Sequence, residues 1–163
     1  MLVGMTTWDE ISASAPELAG NVRTRFEATG LGFIATLRKD GSPRISGIEP
    51  LFADGQLWLG MMDGSLKAHD LQRDPRFALH SASEDKQVMN GDAKVSGRAV
   101  EAADAVESFR KLFAAHTGYE PPPGPFHLFT VDVTELSFLQ PGGDHLVIES
   151  VVAGGLPKRI ERR

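Results

Sequence analysis

Hydrophobic positions at the start of the chain follow a helical period. Trp8, Ile11, Leu18, Val22 and Phe26 fall on one stripe within residues 8–29, and Pro16 breaks or restarts that helix. The pattern then changes to short runs rich in branched and aromatic residues. Gly32–Arg38 (GFIATLR), Pro43–Ala53 (PRISGIEPLFA) and Gln56–Met62 (QLWLGMM) predict three strands. The first two are joined by Lys39-Asp40-Gly41-Ser42 and the last two by Asp54-Gly55, and Asp-Gly is a hairpin signal. The three strands therefore form an antiparallel meander. Gly47 and Pro50 predict a bulge or an edge position in the second.

Asp63-Gly64-Ser65 opens a short helix, Ser65–Arg73, which Asp74-Pro75 stops. Arg76–Ala82 and Ala93–Val100 predict strands on either side of a polar loop. Residues 104–116 predict an amphipathic helix with Val106, Phe109, Phe113 and His116 on one face. The stiff connector EPPPGP, residues 120–125, is too short to separate domains. Residues 126–139 and 145–152 supply the last strands around Pro141-Gly142-Gly143-Asp144, and KRIERR reads as a charged, solvated tail. The expectation is one domain over residues 1–163: an N-terminal helix (8–29), an antiparallel barrel (about 31–152) with helices on one side, and a charged tail (156–163).

Composition narrows the chemistry. The formal net charge of −5 disfavours nucleic acid and anionic membranes as partners, since both call for a basic face. The absence of cysteine removes disulfides, thiolate nucleophiles, iron–sulfur clusters and Cys-type zinc sites, and fits a reducing compartment. The N-terminus has no basic segment followed by an apolar one, so a cytoplasmic location is expected, with Met5 a candidate natural start. His69, His80, His116, His127 and His145 show no metal-ligand spacing, so no metal is expected. No pair of carboxylates can be assigned as acid and base, and catalytic residues stay unassigned.

The most informative stretch runs from Arg38 to Arg76. Arg44, Ser46 and Ile48 alternate onto one face of a strand. Gly64-Ser65-Leu66-Lys67 leads a turn into a helix N-terminus, where free N–H groups and the helix dipole favour an anion. Arg44, Ser65 and Lys67 could thus cradle a phosphate. On these residues alone the commoner reading is an exposed arginine, an ordinary N-cap and a solvated lysine, because charged residues are mostly exposed. Trp58, Met61 and Met62 read as packing residues, and Arg73, Asp74 and Arg76 as a helix stop with local ion pairs.

The succession GFIATLRKDGSPRIS, ADGQLWLGM and GSLKAHDLQRDPRFALHS resembles the pyridoxamine 5′-phosphate oxidase-like, FMN-binding split-barrel superfamily. The similarity spans about residues 25–150 and is greatest to the actinobacterial branch containing F420-dependent enzymes. It implies a six-stranded antiparallel split β-barrel of α+β class, assembled as a homodimer with cofactor clefts between subunits. It also implies FMN or F420 as cofactor. Arg44, Ser65 and Lys67 would hold the phosphate, Ile45 and Ser46 would lie along the ring, and Leu59 and Gly60 would offer backbone groups. Two positions depart from the oxidase pattern. Leu66 replaces a usual basic residue, and Glu49 stands where the oxidases carry a lysine for the substrate phosphate. The expected function is a flavin- or deazaflavin-dependent oxidoreductase acting on a small unsaturated substrate, not a true pyridoxamine phosphate oxidase. The alternatives are a non-catalytic FMN or F420 carrier and a haem-binding split barrel, for which His145 is the candidate ligand.

Overall fold

Thr7 starts the first helix with a capping box: its hydroxyl accepts from Glu10 N at 3.3 Å, and the Glu10 carboxylate accepts from Thr7 N at 2.7 Å. In the computed structural model, which describes residues 4–163, the predicted N-terminal helix divides into α1 (Trp8–Ser14) and α2 (Pro16–Glu27). Pro16 occupies the first turn of α2, where its missing N–H costs nothing. Both helices bury their apolar stripe: Trp8, Ile11, Val22 and Phe26 lie in the main core with Phe52. Each such side chain contributes about 1.5–3 kcal/mol by leaving water.

The strands are β1 (Gly32–Leu37), β2 (Pro43–Ile48), β3 (Leu51–Ala53), β4 (Gln56–Met62), β5 (Arg76–Ser81), β6 (Asp92–Glu101), β7 (Phe126–Pro141), β8 (Leu146–Val152) and β9 (Lys158–Arg162). Helix α3 (Leu66–Arg73) follows β4, and α4 (Val106–Thr117) follows β6 after a short 3-10 turn. All nine strands join one sheet, and every pairing is antiparallel. The main path runs β2-β1-β5-β6-β7-β4-β3. Its two ends, β2 and β3, are consecutive in the chain and linked only by Glu49-Pro50, so the path curls round into a barrel. The long β7 pairs with β4 through Phe126–Thr130 and, further along, with β8 through Glu135–Pro141. The barrel wall splits there.

The seven strand segments read from the sequence become nine strands among the described residues for two physical reasons. The predicted strand 43–53 breaks at Glu49-Pro50, because proline cannot donate to a ladder. The predicted solvated tail is exposed but ordered: Lys158–Arg162 pairs with β8, giving the edge of β8 a hydrogen-bonding partner. The Asp-Gly hairpin holds, with Asp54 and Gly55 both at positive φ, 50° and 75°.

Candidate functional site

Alternation along β2 turns Arg44, Ser46 and Ile48 inward and leaves Ile45 and Gly47 outward. Arg44 lies opposite Thr36 of β1, beneath α3. Asp70 of α3 is buried there and collects three donors. Thr36 Oγ1 donates to it at 2.8 Å, Arg44 Nε at 2.7 Å and Arg73 Nη2 at 2.9 Å. Burial pushes the Asp70 carboxyl up, but the hydrogen bonds from Arg44, Thr36 and Arg73 outweigh it and hold the group below the usual aspartate range. Arg73 also donates to Leu37 O at 2.8 Å, which ties the end of α3 to β1. Arg44 is engaged only through Nε, so its two terminal amino groups have no partner among the described residues.

At the other end of α3, Ser65 is the N-cap, and its hydroxyl oxygen accepts from Ala68 N at 3.4 Å. Its own O–H remains to donate. Lys67 is half-buried, forms no ion pair among the described residues, and sits one turn before Asp70 on the same helix face. Leu66 is 60% exposed. Gly64 N donates to His127 Nε2 at 3.3 Å. His69 meets His127 edge-on, with ring centres 5.6 Å apart. The structure thus brings Arg44, Ser46, Ser65 and Lys67 to the β2–α3 side of the barrel.

The other three predicted residues lie elsewhere. Ile45 points to the opposite face from Arg44 and Ser46 and is 74% exposed, so Ile45 and Ser46 cannot both meet one ring through their side chains. Leu59 is fully buried in the core and can contribute only its backbone. Gly60 faces away from the core, toward α4. A Cβ on Gly60 would lie 2.8 Å from Phe126 Cζ and 3.0 Å from Phe109 Cε1. Glycine is required there to let the two rings approach. Beside them opens a cavity of about 240 Å³ between α4, β4 and the proline-rich connector, with Glu49 and Met62 at its edge.

Trp58 packs against Phe109 and donates to Ala53 O at 3.0 Å, and Met61 is buried, so both are structural. Asp74 accepts from Arg76, chiefly through its side chain, which lowers its carboxyl to about 2 and makes QRDPR a helix stop. His145 places Nδ1 2.9 Å from Asp144 and Nε2 3.6 Å from Glu161, so both ring nitrogens face carboxylates. No three metal-ligating side chains converge among the described residues. Asp70 and His127 are the residues that sequence reasoning missed. The one local signal for Asp70 is its spacing of three from Arg73 on the helix.

A curled antiparallel sheet whose strand arginine lies beneath a capped helix is the architecture of a split-barrel protein. Residues 18–140 match the family model for pyridoxamine 5′-phosphate oxidase, and the chain belongs to that family. No curated protein is significantly similar to it in sequence. Among solved structures it resembles a pyridoxamine 5′-phosphate oxidase-related, FMN-binding protein from Nostoc punctiforme (TM-score 0.64, 13% identity, 91% of this chain and 96% of that one). It also resembles an F420 reductase (TM-score 0.57, 17% identity, 71% and 94%) and a heme binding protein from Mycobacterium smegmatis (TM-score 0.57, 20% identity, 82% and 58%). At these identities the likeness concerns the fold. No helix is long and apolar enough to cross a membrane among the described residues.

Proposed function

We propose that this protein is a homodimeric, cytoplasmic oxidoreductase that uses FMN or F420 on a small unsaturated substrate. The observation that carries the reading is the β2–α3 corner. Arg44 is held by Asp70 through Nε with its terminal amino groups open, and Lys67 and the Ser65 cap lie at the N-terminal end of the same helix. Such a corner suits a phosphate oxygen, because charged donors and a helix N-terminus act together. The charges of Arg44, Arg73 and Lys67 set against Asp70 leave an excess of two positive charges, modest for a phosphate dianion and ample for a phosphodiester. Family membership and the FMN- and F420-related neighbours support the same cofactor class.

When bound, a flavin or deazaflavin supplies the hydride or electron-pair chemistry. The residues of this chain bind its phosphate, orient the ring and exclude water. No protein nucleophile is required.

A haem-binding role has the mycobacterial neighbour in its favour. Both nitrogens of His145 already face carboxylates, which weighs against axial ligation by that residue. A carrier without catalysis would use the same corner. The test is an absorption spectrum after incubation with each cofactor, followed by fluorescence titration. Bound oxidised flavin absorbs near ~370 and ~450 nm, F420 near ~420 nm, and haem gives a sharp Soret band. Retention of haem in preference to both others would overturn the reading. Reduction of an unsaturated acceptor by the loaded protein separates enzyme from carrier.

A further inference from the structure

The cavity beside Gly60 is distinct in chemistry from the basic corner. Phe109 and Phe113 of α4, Phe126 of β7, Tyr119 just after α4 and Pro121 of the connector form its walls. Glu49 is the one charged side chain in the lining. Aromatic faces carry negative potential, and a carboxylate adds a full negative charge. A cation beside the Phe126 ring, Arg110, is engaged elsewhere. Arg110 is buried, with Nε donating to Pro122 O at 3.2 Å and its terminal amino groups bonded to Gly124 O and to the Glu107 carboxylate. Its Cζ lies 5.7 Å from the centre of the Phe126 ring. Arg110 therefore braces the connector that walls the cavity, and Glu107 matches its charge.

We propose that this cavity binds a small organic cation, an ammonium group seated among the aromatic rings and facing Glu49. The proposal deepens the proposed function by naming the substrate class, and it rests on that reading only for the role of substrate. Aromatic rings with one carboxylate reward a poorly hydrated positive charge and repel phosphate or carboxylate ligands. The volume of about 240 Å³ suits a compact ligand, roughly ten to fifteen heavy atoms. Because Gly60 has no side chain, the rings of Phe109 and Phe126 close together against the strand.

Three probes of similar shape test it: phenyltrimethylammonium, its neutral isostere tert-butylbenzene, and benzoate. Binding is read by calorimetry and by the fluorescence of Trp58, whose ring centre lies 6.0 Å from that of Phe109. The cation should bind about tenfold more tightly than the neutral isostere, and benzoate should not bind. Glu49→Gln should weaken the cation about fivefold and leave tert-butylbenzene unchanged, and the exposed Tyr119→Ala should also weaken the cation. Equal affinity for the cation and its neutral isostere, or an unchanged cation affinity in Glu49→Gln, would overturn the proposal. The titrations are run on the same preparation with and without added FMN or F420. Cation binding without cofactor binding defeats the cofactor reading alone, and cofactor binding without cation binding defeats this proposal alone.

Discussion

Asp70 holds Arg44 by a hydrogen-bonded ion pair, Oδ2 to Nε at 2.7 Å, with the carboxylate buried and the arginine side chain one-fifth exposed. The carboxylate therefore has two opposing effects on an anion bound at this corner. It fixes the guanidinium with its outer edge free, and it subtracts one negative charge's worth of attraction.

Two substitutions separate those effects. Asp70→Ala leaves Arg44, Arg73 and Thr36 without their shared acceptor and should cost about 3 kcal/mol of stability, the scale for removing one partner of a buried pair. Asp70→Asn keeps an acceptor oxygen for Arg44 while removing the charge. It should tighten FMN by roughly 1 kcal/mol, about fivefold, the residue of a charge–charge repulsion after screening. Urea denaturation and cofactor titration of both variants measure this. Weaker FMN binding by Asp70→Asn would show that its charge, not its geometry, is what the corner needs.

Acid should loosen the same corner. The Asp70 carboxyl titrates below its unfolded value because its three donors outweigh burial. A depressed carboxyl stabilises the fold above the unfolded value of about 3.9, and that stability disappears as pH falls through the lower folded value. The urea midpoint should therefore decline as pH drops below about 4, and Asp70→Asn should flatten that decline. Parallel pH profiles for wild type and variant would remove Asp70 as the cause. Asp74, lowered to about 2 by Arg76, acts in the same direction, but its partner Arg76 is exposed and the pair is screened by solvent.

The phosphate role of the helix start is tested on two neighbours that point differently. Lys67→Ala should weaken the cofactor by roughly 1.5–3 kcal/mol, the range for a charge-assisted hydrogen bond, without unfolding the protein. Leu66 is exposed, so Leu66→Arg adds a charge without emptying the core. It should tighten FMN more than F420, since a phosphate monoester carries more charge than a diester. Unchanged affinities in Lys67→Ala and Arg44→Ala together would eliminate the corner as the cofactor site.

Much of this was legible from local signals. Two Asp-Gly turns close the hairpins β1–β2 and β3–β4, and the positive φ at Asp54 and Gly55 suits few other residues. The expected three-strand meander does not form, because the middle segment breaks at Glu49-Pro50 and the two hairpins stand at opposite ends of the sheet path. Arg44 and Ser46 were placed on one face by strand alternation alone, and Ser65 by its capping position. What could not be read depends on long-range crossings. Asp70 matters because α3 lies over β1 and β2, bringing it to Thr36 and Arg44, which are 34 and 26 residues away. The aromatic cavity unites Glu49 and Gly60 with Phe109, Phe113 and Phe126 from across the chain. Strand β9 was hidden because four of the five residues in KRIER are charged, and only the open edge of β8 gives it a reason to pair.

The outward face of β2 and β1 bears on assembly. Ile45 pairs in register with Ala35, which pairs with Ala78 of β5, while Phe33 lies opposite Gly47. Phe33 and Ile45 are 51% and 74% exposed, two large apolar side chains on a face that Ala35, Gly47 and Ala78 keep low and that His80, Lys94 and Ser96 border. Such a flat face costs free energy in water and lets another sheet approach closely. We therefore expect a homodimer that covers it, burying more than about 1,000 Å² in total. Ile45→Asp should give a monomer at micromolar concentration by sedimentation, with thermal stability of the protomer nearly unchanged because the side chain is exposed there. If cofactor affinity falls together with the dimer, the binding cleft lies between subunits; if it survives in the monomer, one chain holds the site alone. A wild-type protein that sediments as a monomer at micromolar concentration would end the dimer proposal, whatever the variant does.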